Sequence, residues 1–68
     1  MKEKYFIKYG NLYLQELDLE EDSIYTEFIS NIKFRSDTLC CDDYELDKAQ
    51  FLIDKLVTLG FDQELFTL

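Results

Sequence analysis

The two sharpest changes of direction that this sequence specifies are at Gly10 and Gly60, since these are its only glycines and it has no proline. Gly10 and Asn11 separate two runs rich in aromatic and aliphatic residues, 5–9 and 12–17. A tight hairpin turn needs a positive φ, which glycine adopts without steric cost, so this pattern predicts a β-hairpin. The second strand continues as far as Leu19, and the charged residues 20–23 form a turn or an exposed strand end.

Gly60 marks the end of a predicted helix. Asp42 precedes Glu45 by three residues, which is the spacing of a capping box, so Asp42 or Asp43 is expected to cap a helix that runs to about Leu59. The expected buried stripe follows helical spacing and comprises Leu46, Ala49, Ile53 and Leu56. Phe61, just past the glycine, is expected to fold back on Leu56 or Val57.

Between the hairpin and the helix, the residues from Ile24 to Arg35 follow mostly the alternation of a strand. Tyr25 and Ile29 break that alternation, so the alternative is an irregular stretch or one helical turn before a strand at 31–35. Residues 36–41 follow neither period and are interpreted as a loop, and the apolar positions of 61–68 predict a short final strand. We therefore expect an α+β fold of the order β-β-β-α-β, in one compact domain spanning residues 1–68.

The charge of the chain restricts its partners. Fifteen acidic and seven basic residues give a net charge of −8, and three of the bases lie within the first ten residues. Such a field repels nucleic acid and anionic membranes and attracts basic protein surfaces, although the same charge also serves simple solubility. We expect a protein partner with a basic surface, without direct binding to nucleic acid or membrane.

Catalysis is poorly supported by the composition. The chain has no His, which is the commonest general base and a frequent metal ligand. Cys40 and Cys41 are adjacent and sit among acidic residues that disfavour a thiolate, so we expect neither thiol to be needed for activity. The acidic clusters 18–22 and 42–47 lack the glycine and glutamate positions of a calcium loop. We expect no enzyme activity, no cofactor and no metal site.

An acidic row on the second strand is the candidate interaction surface. Alternate residues of an extended strand point to one side about 6.6 to 6.8 Å apart, so a regular series of carboxylates could occupy a groove built for phosphates. The alternative is an edge strand whose charges only discourage sheet association. The row consists of Glu16, Asp18, Glu20 and Asp22. Tyrosine is enriched in binding hot spots, and Tyr13 and Tyr25 are the two we expect beside this row.

In length, acidity, lack of His, Trp and Pro, and hairpin-then-helix order, the chain resembles the small accessory proteins of phages and mobile elements, including anti-CRISPR inhibitors and other DNA mimics. That resemblance implies a stoichiometric inhibitor of a host nucleic-acid-binding protein, such as a CRISPR nuclease, and assigns no role to any single residue. The alternative is a small assembly or regulatory subunit that binds through an apolar or sheet-edge surface, with homodimerisation as one form.

The expected location is the cytosol, of the host cell if the chain is phage-encoded. No apolar run approaches the roughly 20 residues of a membrane-spanning helix, and the first residues do not follow the pattern of a secretory signal. Adjacent cysteines give no disulfide framework of the kind found in small secreted domains, and free thiols fit a reducing compartment.

Overall fold

A computed structural model describes residues 3–24 and 26–68 of the chain. Six strands and one helix follow one another, with a 3₁₀ turn at Gln63–Leu65. The elements are β1 (Lys4–Tyr5), β2 (Lys8–Tyr9), β3 (Leu12–Glu21), β4 (Glu27–Arg35), β5 (Tyr44–Glu45), α1 (Leu46–Thr58) and β6 (Phe66–Thr67). The α+β class is confirmed.

The strands form two antiparallel sheets. The larger sheet has the order β4-β3-β2-β6, and the smaller one pairs β1 with β5. The predicted hairpin is confirmed, because Lys8 and Tyr9 pair with Tyr13 and Leu12, and Gly10 has a φ of 59°. The first run of the sequence is divided, however, since its beginning pairs with β5 and only its end joins the hairpin.

Two β-bulges set the direction of the side chains in the long β3–β4 hairpin. Leu14 pairs with Phe34 and Glu16 with Lys33, so Gln15 is an extra residue in β3. Asp18 pairs with Asn31 and Leu19 with Ile29, so β4 contains one extra residue between its two partners. The strand interpretation is therefore confirmed from Glu27 onward. The bulge also explains why Ile29 departs from the alternation, and residues 27–30 do not form the alternative helical turn.

The core lies between the inner face of the larger sheet and α1. Ile7, Leu14, Ala49 and Leu52 form its buried centre, and half-buried residues of β3, β4 and β6 surround them. Leu56 is also fully buried. Full burial of a leucine side chain is worth about 1.5–3 kcal/mol, so a few such residues account for much of the apolar stabilisation.

The predicted start of α1 is wrong. The helix begins at Leu46 with Glu45 as its N-cap, and no side chain caps it. Neither Asp42 nor Asp43 can serve as that cap, because Tyr44 and Glu45 after them are extended and pair with Tyr5 and Lys4 of β1. The pairing of two distant segments overrides the local capping pattern.

The buried stripe of α1 also differs from the prediction. Ala49 and Leu56 are buried as expected, but the position between them is filled by Leu52, and Ile53 is only half-buried. Leu46 is 43% exposed, because it lies at the first position of the helix, beside the β1–β5 pair.

α1 ends just before Gly60, as predicted. Gly60 has a φ of 112°, its N–H donates to Val57 O at 3.0 Å, and the N–H of Phe61 donates to Leu56 O at 3.2 Å. This pair of bonds is the Schellman motif, which satisfies two carbonyls of the last helical turn. The Phe61 ring packs against the rings of Tyr9, Phe34 and Phe66. Phe61 thus contacts Leu56 through its backbone N–H, while its side chain joins an aromatic cluster.

Candidate acidic interaction surface

The outer face of the larger sheet carries three members of the acidic row. Leu14, Leu17 and Leu19 all pack toward the core although their numbers differ in parity, because the bulge at Gln15 shifts the alternation. Neighbouring residues in a strand point to opposite faces. Glu16, Asp18 and Glu20 therefore share the outer face, and Tyr13 shares it with them only because of the bulge.

Two carboxylates of the row are held by residues of β4. Lys33 Nζ lies 3.5 Å from Glu16 Oε1, and Asn31 Nδ2 donates to Glu16 Oε2 at 3.0 Å and to Asp18 Oδ2 at 3.2 Å. Lys33 offsets the charge of Glu16, whereas the neutral amide of Asn31 does not offset the charge of Asp18. Asp18 is consequently the more available anion for a partner.

Asp22 is separated from the row by its structural role. β3 ends at Glu21, and Asp22 Oδ1 accepts the N–H groups of Ile24 and Thr26, each at 3.0 Å. An aspartate that accepts nearby backbone N–H groups stabilises a turn. Asp22 therefore shapes the loop between β3 and β4 and does not continue the row along the strand.

The remaining members of the predicted site differ in their surroundings. Glu20 is exposed and lies opposite Phe28 of β4. Tyr13 lies between Lys8 and Arg35, its partners in β2 and β4, and Lys8 Nζ is 5.5 Å from the centre of its ring. Tyr13 is therefore in a basic neighbourhood at the other end of the outer face. Tyr25 lies outside the described residues.

A second acidic group, which the sequence did not assign to this surface, adjoins the row at Asp18. The N–H of Asp42 donates to Gln15 O at 3.1 Å, which holds the loop before β5 against β3. Burial raises the pKa of the half-buried Tyr44 phenol, and the charges of Asp42, Asp18 and Asp43 raise it further. Asp42 and Asp43 therefore lie beside the strand that carries Asp18. We call Asp18, Asp42 and Asp43 the acidic edge.

The acidic edge could not be read from the sequence, which assigned Asp42 and Asp43 to a helix cap. The density of acids in 42–47 was visible, but the backbone bond from Asp42 to Gln15 joins segments far apart in the chain. No local pattern indicates such a bond.

A cleft of about 310 Å³ opens where the β1–β5 pair meets the start of α1. Three acidic residues line it together with Tyr5 and Leu46; they are Glu3, Glu45 and Asp47. The Tyr5 hydroxyl donates to Glu3 Oε2 at 2.9 Å, and this bond, with the charge of Glu3, raises the pKa of the phenol. The cleft adds negative potential on a different side of the chain from β4.

The two cysteines lie in the predicted loop and are free thiols. Cys40 is exposed with a φ of 60°, and Cys41 Sγ donates to Asp37 O at 3.3 Å. Burial raises the pKa of the Cys41 thiol, and the neighbouring Asp37 and Asp42 add to this while Arg35 opposes it. Cys41 is therefore less ionised at neutral pH than an ordinary thiol, as its acidic neighbours led us to expect.

Among residues 3–24 and 26–68, no three His, Cys, Asp or Glu side chains are grouped so that they could hold a metal ion. The helices in this part of the chain include none with the length and apolar character needed to cross a membrane.

Comparison with known protein families, with characterised proteins and with solved structures found no match to this chain.

Proposed function

We propose that this chain is a non-enzymatic binding protein that inhibits a larger protein by docking its acidic edge on that protein's basic, nucleic-acid-binding surface. The observation that carries the proposal is the bond from the Asp42 N–H to Gln15 O, which holds the loop of Asp42 and Asp43 against β3, the strand that carries Asp18. Carboxylates from two separate segments thereby present one anionic patch in place of scattered surface charge.

The chemistry of this patch suits arginine and lysine side chains that otherwise bind phosphate. A carboxylate offers two oxygens to a guanidinium in the bidentate geometry that phosphate also offers. An acidic edge is thus matched to a basic groove.

The charge balance favours the same partner. The ion pairs of the described residues bind Glu16, Asp37 and Glu27 to cations, and they include no member of the acidic edge. None of these ion pairs therefore offsets the charge of the acidic edge, in a chain whose net charge is −8. Such a field increases the rate of association with a basic surface, most strongly at low ionic strength.

The resemblance to anti-CRISPR and DNA-mimic inhibitors makes a host nuclease, such as a CRISPR nuclease, the favoured partner, met in the cytosol of the host cell. The mode of inhibition is then competition, because the acidic edge and the nucleic acid occupy the same basic groove. Binding is stoichiometric and consumes no substrate.

The test is to isolate the partner from host cytosol with the tagged chain and then to measure its binding at low and high salt, alone and against duplex DNA. Asp42→Lys/Asp43→Lys is expected to abolish competition with DNA, because it reverses two of the three charges. Neither carboxylate accepts a hydrogen bond among the described contacts, so the fold should be retained, which circular dichroism checks.

The matched control is Asp54→Lys/Glu64→Lys, which gives the same net charge on another part of the surface. Single exposed charges are worth under about 1 kcal/mol, so double variants are needed for a clear effect. We expect the control to bind almost as well as the unmodified chain. Equal weakening of both variants would show that only net charge matters, and full binding by the acidic-edge variant would exclude docking there.

A further inference from the structure

Strand β4 has one open side. In the described part of the chain it is the outermost strand of the sheet order β4-β3-β2-β6, and β3 is its only neighbour. Its nine residues include no proline. An outer strand presents unpaired N–H and C=O groups, which can pair with a further strand.

Apolar side chains accompany this open side. Ile29, Ile32 and Phe34 point to the inner face of the sheet, where their partners in β3 are the leucines 19, 17 and 14. Between β4 and the end of α1 a groove of about 120 Å³ is lined by Leu19, Phe28, Ile29 and Leu59 among others. Phe28 is 45% exposed and Leu59 is 61% exposed, so this end of the strand offers apolar surface to a partner.

The strand is also locally neutral in a strongly acidic chain. Each of its charged residues has an opposite charge nearby: Glu27 lies 3.9 Å from Lys55, Lys33 lies 3.5 Å from Glu16, and Arg35 lies 2.7 Å from Asp37. Two copies of a chain with a net charge of −8 repel each other over most of their surfaces. The open side of β4 is a place where that repulsion is small.

We propose that β4 pairs with β4 of a second copy, antiparallel and across a two-fold axis, so that the two larger sheets become one. Residues that face each other in an antiparallel pair point to the same side of the sheet. When the two bulges lie opposite each other, Phe28 faces Lys33 of the second copy and Ile29 faces Ile32 of the second copy. In this register, facing residues of the two strands point to the same face of the merged sheet along residues 27–34.

The charge order of β4 supports a second copy of the chain as the occupant. The strand begins with the acid Glu27 and ends with the bases Lys33 and Arg35. In an antiparallel pair, the acidic start of each strand lies next to the basic end of the other, so like charges do not face each other across the pair. A C2 interface is self-complementary in this way, since each contact occurs twice.

The experiment is sedimentation equilibrium of the full chain from about 10 μM to 1 mM, the range expected for a small interface. The mass should rise from the 8.2 kDa of one chain toward twice that value. It should rise more at high salt, because salt screens the repulsion between acidic copies. Docking through the acidic edge should instead weaken as the salt concentration rises. The failure of one proposal can therefore be distinguished from the failure of the other.

Two substitutions of opposite charge at one position test the register. Phe28→Lys places a lysine opposite Lys33 of the second copy and should weaken the dimer about tenfold or more, whereas Phe28→Glu should retain it. Within one chain, position 28 faces Glu20, so the lysine should favour the fold and the glutamate should disfavour it. Fold stability and dimer affinity are therefore expected to change in opposite directions.

A chain that stays monomeric at 1 mM and high salt would overturn the proposal. Equal weakening by both substitutions would also overturn it, because it would show that the Phe28 ring, and not the paired register, makes the contact. Slower exchange of the β4 amides in the concentrated sample, with the β6 amides unchanged, would support the pairing.

Discussion

The two halves of β3 lie in different surroundings. The first half has β2 on one side and β4 on the other, and its Leu14 is completely buried against Ile7 and α1. The second half pairs with β4 alone, contains three acids among its five residues and ends at Glu21. A single strand thus provides packing at one end and a charged surface at the other.

This difference shows how a chain of 68 residues can devote so much of its sequence to acids. Stability is concentrated where β2, β3, β6 and α1 meet, because fully buried side chains contribute most per residue. The charges lie where removing a side chain leaves no cavity. Substitutions in the two halves should therefore have separable effects, on stability in one and on recognition in the other.

The largest effect is expected in the closed half. Leu14→Ala should lower the free energy of unfolding by about 2–5 kcal/mol, because it leaves a cavity in a completely buried site. Leu12→Ala, in the same strand but 42% exposed, is the control and should cost much less. Chemical denaturation of both variants measures the difference. Similar losses would show that the two positions are equally packed.

A smaller effect is expected at the tip of the open half. Asp22→Ala removes the acceptor of two backbone N–H groups and should cost about 0.5–1.5 kcal/mol, as for an ordinary hydrogen bond. Asp22→Asn keeps an acceptor oxygen and should restore most of that loss. If the alanine and asparagine variants unfold alike, the charge of Asp22 matters and its bonds to the loop do not.

The smallest effect concerns Tyr44 at the acidic edge. Its pKa in the folded chain is raised by burial and by Asp42 and Asp18, so folding favours the neutral phenol. The associated stability is present below the pKa of an unfolded tyrosine, about 10, and is lost as the pH rises through the folded pKa. Asp42→Asn should lower the pKa of Tyr44 in an ultraviolet titration, with Tyr44→Phe identifying its signal. An unchanged titration curve would place Asp42 too far from the hydroxyl to act on it.

The local features of the fold could be predicted from the sequence. Gly10 and Gly60 have positive φ, as the hairpin and the helix end required, and the short strand after Gly60 is present. The two glycine features depend on residues close together in the chain, whereas the final strand also needs its pairing with β2. The glycine positions therefore carried most of the predictable information.

Most of the failures come from contacts between distant segments. The pairing of β1 with β5 moved the start of α1 to Leu46, and the bulge at Gln15 placed Leu17 and Leu19 on the same face as Leu14. The acidic row was correctly expected on one side of a strand for Glu16, Asp18 and Glu20. The prediction that the row continues to Asp22 was wrong, because β3 ends at Glu21. The position of Asp42 and Asp43 beside β3 was not predicted. Binding by any of these residues stays a prediction.

The aromatic cluster has a consequence for how the chain folds during translation. The ring of Tyr9 lies 4.6 Å from that of Phe66 and 5.2 Å from that of Phe61, so residues from both ends of the sequence pack together. A nascent chain cannot complete this packing until Phe66 has emerged from the ribosome. The β3–β4 hairpin, whose contacts are local, is free to form earlier and must wait with its inner leucines uncovered. Folding should therefore be completed only once Phe66 has left the ribosome, and chaperone binding to the chain should be strongest until then.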